Sequence, residues 1–392
     1  MLNSVSVLIS HQYGAKDHQA ISETMGQSFL LGLVVCVFII LILLCMPLFL
    51  QWSSQPPAVL KLASQYMFAL LWTIPGLITL IITEQFLAGV GRAKIVLHIS
   101  FIVVPIEIPL IYFLIFGKGG LPACGIAGVG YGFAVTYTAT AIGILCYLWH
   151  AKQYQSYGIF KKIGTLHFSR MKELIRIGLP MGFMHVIEVS TFTVATFWIA
   201  QFGTTPLAAH QIVMQYLGFA ITITFAMSQA LTVRVGHVMG ELKLSGIHFA
   251  IKVGILISVI CTAVVASGFY FYPHFFIQLD FNIHDPNNMA LLRSASLLLS
   301  ISAVLMLIDN FRIMGFGALR GLKDTRFPMY ASFVSFWLLG LPSAYLLGFV
   351  LHLQASGVWW GLTFGILSGA IIIYCRLRYL LSRAPFISSK KS

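Results

Sequence analysis

Residues 29–50 read FLLGLVVCVFIILILLCMPLFL, an apolar run with no charged side chain. A helix rises 1.5 Å per residue, so this run is about 33 Å long and covers a hydrocarbon core of roughly 30 Å. The rest of the chain agrees with it. The sequence has 392 residues, of which 58% are hydrophobic and only 9% charged, and its mean hydropathy is +0.90. This composition defines a polytopic membrane protein and excludes an ordinary soluble domain. Apolar periodicity places ten full helices near 27–50, 65–90, 95–116, 124–149, 173–201, 207–234, 247–271, 288–317, 327–350 and 356–380. Before them stands a stub, LNSVSVLIS, too short to span. No basic segment and small-residue cleavage site of the kind that marks a signal peptide precedes the first run.

The net charge is +13, but its distribution argues against nucleic-acid binding. One set of connecting segments carries Lys16, Arg92, Lys94, Lys152, Lys161, Lys162, Arg170, Lys172, Arg234, Lys243, Arg320, Lys323, Arg326 and the tail from Arg376 to Lys391. The alternate set carries only Lys61, Lys118 and Arg293. The positive-inside rule puts the first set, the 150–172 segment and the C-terminus in the cytoplasm. The cysteines (36, 45, 124, 146, 261, 375) form no CxxC, and all but Cys124 lie within apolar spans. They read as small packing residues rather than disulfides or metal ligands.

The 150–172 segment is the longest polar stretch and divides the chain into 1–149, an N-terminal lobe, and 173–381, a C-terminal lobe. A basic tail, 382–392, follows. The halves share sequence. YGAKDHQAI resembles MGELKLSGI, IEIPLIYFLIFG resembles LLGLPSAYLLGF, and GVGYG resembles GVWWG. The matched anchors Gly14/Gly240, Pro109/Pro342, Gly128/Gly357 and Gly132/Gly361 are offset by 226 to 233 positions, which predicts a duplication. Six helices lie in the second half, and four plus the stub in the first. On this reading the first half lacks one helix and most of another.

Two carboxylates stand alone in apolar surroundings: Glu188 in GLPMGFMHVIEVSTFTVATFWIA and Asp309 in LLLSISAVLMLIDNFRIMGFG. An ionised group at the bilayer centre costs at least ~2.5–3.5 kcal/mol, so intramembrane carboxylates are functional-site candidates. Glu188 reads either as a neutral hydrogen-bonded acid or as a proton carrier. His185, at i−3, falls on the same helical face, which leaves a His–Glu metal site open, although no further ligand is visible. Arg312 is at i+3 from Asp309, so the two can meet on one face. That pair reads either as self-neutralising or as a site that an incoming proton, Na⁺ or organic cation rearranges. Glu84 lies toward a helix end, where it can snorkel to the surface. Glu107, beside Pro105 and Pro109, is deeper and is a candidate for a cavity in the first half. Gly128-x-x-x-Gly132 reads as close helix packing rather than a phosphate cradle. Pro75, Pro105, Pro109 and Pro342 read as kinks or breaks. No nucleophile–base set or metal cluster appears, which argues against an enzyme.

These residues carry a family likeness. GLPMGFMHVIEVSTF, TTPLAAHQI and RVGHVMGE resemble helices seven and eight of the multidrug and toxic compound extrusion (MATE) family, NorM-type branch. GALRGLKDTRFPMY with SFWLLGLPSAYLLG is similar to the segment joining that family's helices ten and eleven. IEIPLIYFLIFGKGGLPACGIAGVG resembles helices five and six. The resemblance implies an all-α, two-lobed bundle of nominally six plus six helices, here ten full helices and an N-terminal stub. It implies a bacterial-type inner membrane protein that exports cationic or amphipathic organic compounds by alternating access, in exchange for H⁺ or Na⁺. It implies no cofactor, no nucleic acid and no protein partner; the partners are small organic cations and the bilayer. Glu188 and Asp309 match the family's acidic positions for coupling-cation and substrate binding, with Na⁺ the one candidate metal there. Arg312, Glu107 and His185 are candidates for tuning. Arg312 stands where many relatives have glutamine, and Glu107 where many have asparagine. The family's first helix, which often carries an acidic coupling residue, is not seen. The alternatives are a lipid-type flippase of the same superfamily, which predicts a basic cavity, and an N-terminally truncated inactive product.

Overall fold

The computed structural model describes residues 1–52, 56–162, 164–242, 244–282 and 285–388. Lys243, Lys390 and Lys391, assigned above to the cytoplasmic side, lie outside them. Among the described residues the regular structure is helical and no strand occurs. Nine helices are long and apolar enough to cross a membrane, or ten if one bent pair counts as a single span. The chain packs as two compact units, Leu2–Arg176 and Ile177–Ser392, with Met1 counted in the second.

The first unit holds α1 (Ser4–Gly14), α2 (His18–Trp52), α3 (Pro57–Leu71), α4 (Thr73–Gly89), α5 (Ala93–Phe116), α6 (Ala127–His150) and α7 (Lys152–Gln155). The stub is therefore a full three-turn helix. Val5, Leu8 and Ile9 of this helix are completely buried, and Gly89 of α4 packs on Ile9. The span expected at 65–90 begins earlier, at Pro57, and is broken: α3 and α4 meet at 46°. Pro75 accounts for the break. It has no N–H to donate to the Leu71 carbonyl, and its ring crowds that carbonyl. Pro105 and Pro109, by contrast, stay inside the continuous helix α5. That helix stops at Gly117, whose φ of +67° is the left-handed cap that glycine adopts without strain.

The 150–172 segment is docked rather than free. Ser22 Oγ of α2 donates to the Gly158 carbonyl at 2.6 Å, and Gln27 Nε2 donates to that of Thr165 at 2.5 Å. Tyr154 is buried edge-on against Phe86. Arg170 pairs with Glu23 at 3.3 Å.

The second unit begins within α8 (Phe168–Ala200). It continues through α9 (Thr204–Gly240), α10 (Leu244–Phe271), the short α11 (Pro273–Ile277) and α12 (Met289–Gly321). The span read at 327–350 is not one regular helix. It runs as α13 (Arg326–Phe333), a π-helical stretch Val334–Gly340, α14 (Leu341–Tyr345) and a second π-helical stretch Leu346–Val350, before α15 (Gln354–Ser388). Pro342 sits in the first turn of α14, where its missing N–H is tolerated.

The repeated glycines do the same work in both units. A Cβ on Gly128 would stand 2.8 Å from the Leu114 backbone of α5, and one on Gly132 would collide with Ile111. In the second unit a Cβ on Gly357 would collide with the Leu347 carbonyl, and one on Gly361 with Ala344. In each case a GxxxG face lets a helix pack directly on the backbone of the preceding span.

Candidate functional site

The site is built on α12. This helix packs against α9, α10 and α15, and small residues let it approach closely. Gly317 lies directly on Ser228 of α9. Ser228 Oγ donates to the Ile313 carbonyl at 2.7 Å, and Thr232 Oγ1 donates to that of Gly317 at 2.9 Å. With no water in the bilayer core, hydroxyl-to-carbonyl bonds of this kind fix one helix against another.

Asp309 and Arg312 lie one turn apart on this helix. Both are buried, at 2% and 1% exposure. Arg312 Nε donates to Asp309 Oδ1 at 2.5 Å, and Nη2 donates to Glu188 Oε1 of α8 at 2.8 Å. The Glu188 side chain is only slightly more accessible, at 12%. The guanidinium also lies over two aromatic rings, 5.0 Å from the centre of Phe316 and 4.8 Å from that of Phe336. The quadrupoles of both rings add to its stabilisation. Its stem passes Gly369 of α15, where a Cβ would approach Arg312 Cδ to 3.2 Å. One cation thus bridges two carboxylates, and with both ionised the cluster carries a net single negative charge.

Sequence spacing identified Asp309–Arg312. Isolation in an apolar run singled out Glu188, but not as a partner of Arg312, since that contact is between helices far apart in the chain. Phe316, at i+4 from Arg312, was legible by the same spacing rule; Phe336, in the π-helical stretch, was not. Two more buried polar residues of α12 were missed. Asn310 is buried beside the cluster, and its Oδ1 accepts from Thr262 at 3.1 Å and from Ser258. Arg320 is 6% exposed and donates to Ser228 Oγ at 2.7 Å. It lies eleven residues after Asp309, about three turns on and so on the same side of the helix; that periodicity was the available signal.

His185 does not join the cluster by a hydrogen bond among the described residues. It is exposed, its ring lies 5.7 Å from that of Phe225, and it lines a shallow groove with Val189 and Trp337, while remaining an electrostatic neighbour of Glu188, Arg320 and Arg312. Glu107 is on α5, in the other unit, and is half-buried. Glu107 and Glu84 are both electrostatic neighbours of the Tyr137 phenol of α6. Among the described residues no group of three or more His, Cys, Asp or Glu side chains is placed to hold a metal ion. A Na⁺ ion at Glu188 and Asp309 would have to share oxygens that Arg312 engages.

Histidine also appears in a purely structural role. His210 is fully buried; its Nδ1 accepts from Trp359 Nε1 at 3.2 Å, and its Nε2 lies 2.9 Å from Thr196 Oγ1. The Thr196 hydroxyl donates to the Phe192 carbonyl, so His210 Nε2 carries the proton and the ring is neutral.

Helices long and apolar enough to span a membrane surround a buried carboxylate–guanidinium cluster, the arrangement of a membrane transporter. The comparisons make this specific. The MatE family model matches residues 1–113 and 180–346, and the chain belongs to that family. It is 32% identical over 376 residues to the probable multidrug resistance protein NorM of Pseudomonas syringae pv. tomato, covering 95% of this chain and 81% of that one. It is 30% identical to the protein of the same name from Pseudomonas putida, covering 98% of this chain and 84% of that one. Among solved structures it is similar to one described as MATE in the bent conformation, with a TM-score of 0.88 and 17% identity, covering 99% of this chain and 84% of that one. It is also similar to a Vibrio cholerae MATE transporter, VcmN, with a TM-score of 0.86 and 15% identity, covering 97% of this chain and 84% of that one. At these identities the structural likeness speaks to the fold.

Proposed function

We propose that this chain exports cationic or amphipathic organic compounds in exchange for H⁺ or Na⁺ by alternating access, and that Glu188 and Asp309 bind coupling ion and substrate in turn. The observation that carries the reading is the charge balance of the cluster. Two carboxylates share one guanidinium, which leaves a deficit of one positive charge. A proton, a Na⁺ ion or an organic monocation fills it, and two of them together would over-fill it. Competition for one charge vacancy is the requirement for exchange. It keeps coupling ion and substrate from occupying the cluster together.

Arg312 gives the site a resident cation. It lowers the cost of keeping two carboxylates in the membrane, and an arriving cation must redistribute its bonds. Glu188 is the more accessible of the two acids, so it is the point of entry, with Asp309 behind the guanidinium. Phe336 and Phe316 would remain to hold Arg312 while a carboxylate is released. Glu107 belongs to the other unit and would act on the surroundings of Tyr137, whereas His185, an electrostatic neighbour of Glu188, Arg320 and Arg312, would tune the charge of the cluster. The C-terminus faces the cytoplasm of a bacterial cell in this reading, supported by the distribution of basic residues. A lipid flippase is less well supported, since the cluster described here is net acidic.

The test is efflux of a fluorescent organic cation from cells expressing the protein. Glu188→Gln and Asp309→Asn should each abolish energised efflux while the protein remains in the membrane. Efflux at the wild-type rate in both variants would overturn the assignment.

A further inference from the structure

The second unit carries a surface groove that the transport reading does not use. It has a volume of about 930 Å³ and lies between α10 and α15, with Phe311 of α12 at its floor. Its lining changes character along its length. Near the start of α10 and the end of α15 it presents His248, Lys252 and Arg378, all exposed. Deeper along α10 the wall is Ile255, Leu256 and Val259.

The basic residues are notable for what they lack. Among the described residues no carboxylate lines the groove. Neither Lys252 nor Arg378 has an ion-pair partner among the described residues, whereas Arg376, two positions away, is held by Asp324 at 2.8 Å. Arg378 is braced instead by the Tyr374 ring, 5.2 Å from its centre, which fixes the guanidinium at the groove and leaves its N–H donors available. Lys252 is six residues inside the apolar span that starts at Gly246, and Arg378 is four residues from the end of the span that closes at Ser382. At 1.5 Å per residue both lie within about 9 Å of the ends of their spans, the depth of lipid headgroups.

We propose that this groove is a site for one anionic phospholipid of the leaflet that faces the C-terminus. Its phosphodiester is held between Lys252 and Arg378, and one acyl chain runs along Leu256 and Val259 toward Phe311. Two uncompensated cations above an apolar channel match a headgroup with one negative charge and a hydrocarbon tail. A neutral detergent or a zwitterionic lipid satisfies the channel and not the cations. A free phosphate satisfies the cations and not the channel. The lipid packs on α10 and α12, and α12 also carries Asp309 and Arg312, so occupancy would brace the helix that holds the transport cluster.

The test is native mass spectrometry of the detergent-solubilised protein with added phosphatidylglycerol, phosphatidylcholine or inorganic phosphate. It requires no drug or ion gradient, so it is independent of the antiport assignment. Phosphatidylglycerol should be retained preferentially and should resist competition by inorganic phosphate. Each basic residue near a membrane surface contributes about fivefold in affinity, so Lys252→Gln/Arg378→Gln should weaken retention about 30-fold. Both side chains are exposed, and thermal melting in neutral detergent should be unchanged. Equal retention of the two lipids, unaltered phosphatidylglycerol retention in the double variant, or displacement by inorganic phosphate would each overturn the proposal.

Discussion

At the scale of the residue, Arg312 is the cation that joins the two acids of the site. Its i+3 spacing from Asp309 was readable because a helix brings such residues onto one face. The bond to Glu188 was not, because it joins positions 124 apart and nothing local in the sequence encodes it. Removing one partner from a buried ion-pair cluster is strongly destabilising, because the remaining charges are stranded. Arg312→Ala should therefore lower unfolding free energy by about 3–5 kcal/mol, measured by denaturation in micelles. The neutral triple replacement Glu188→Gln/Asp309→Asn/Arg312→Met should lose far less. Equal losses would mean that the cluster is not an electrostatic unit. His210 shows the reverse case. Nothing in its sequence neighbourhood separates it from His185, yet one ring is locked between Trp359 and Thr196 and the other is exposed.

At the scale of the element, apolar runs located every span, because length and hydropathy suffice for that. They did not locate the interruptions equally well. Pro75 signalled the α3–α4 break, but Pro105 and Pro109 carry the same signal inside an unbroken helix. A missing backbone donor in a membrane helix can be absorbed by its surroundings, and the sequence does not say where. The two π-helical stretches, Val334–Gly340 and Leu346–Val350, had no sequence signal that was recognised. The GxxxG faces were legible, and their packing makes a sharp prediction. Gly132→Val and Gly361→Val should each destabilise by about 1–3 kcal/mol through overpacking, seen as lower melting temperature and loss of monodispersity. Gly143→Val, where a Cβ would meet nothing within 4 Å, should be close to neutral. A neutral Gly361→Val would contradict the packing described.

At the scale of the whole molecule, composition alone gave the class, and the long polar segment 150–172 suggested a division into halves. The MatE match, residues 1–113 and 180–346, takes in most of the motifs that carried the family likeness and every residue singled out for the site; residues 114–130 of the helix five and six motif lie outside it. Substrate and coupling ion were not readable, because H⁺, Na⁺ and an organic cation answer to the same negative charge. The central claim is that they compete for one vacancy at Glu188, Arg312 and Asp309. The most direct measurement is equilibrium binding of tetraphenylphosphonium to the purified protein across a series of pH values and Na⁺ concentrations. Protons, Na⁺ or both should weaken binding competitively, and Glu188→Gln and Asp309→Asn should lose that dependence. An affinity independent of pH and Na⁺ in the wild-type protein would contradict it.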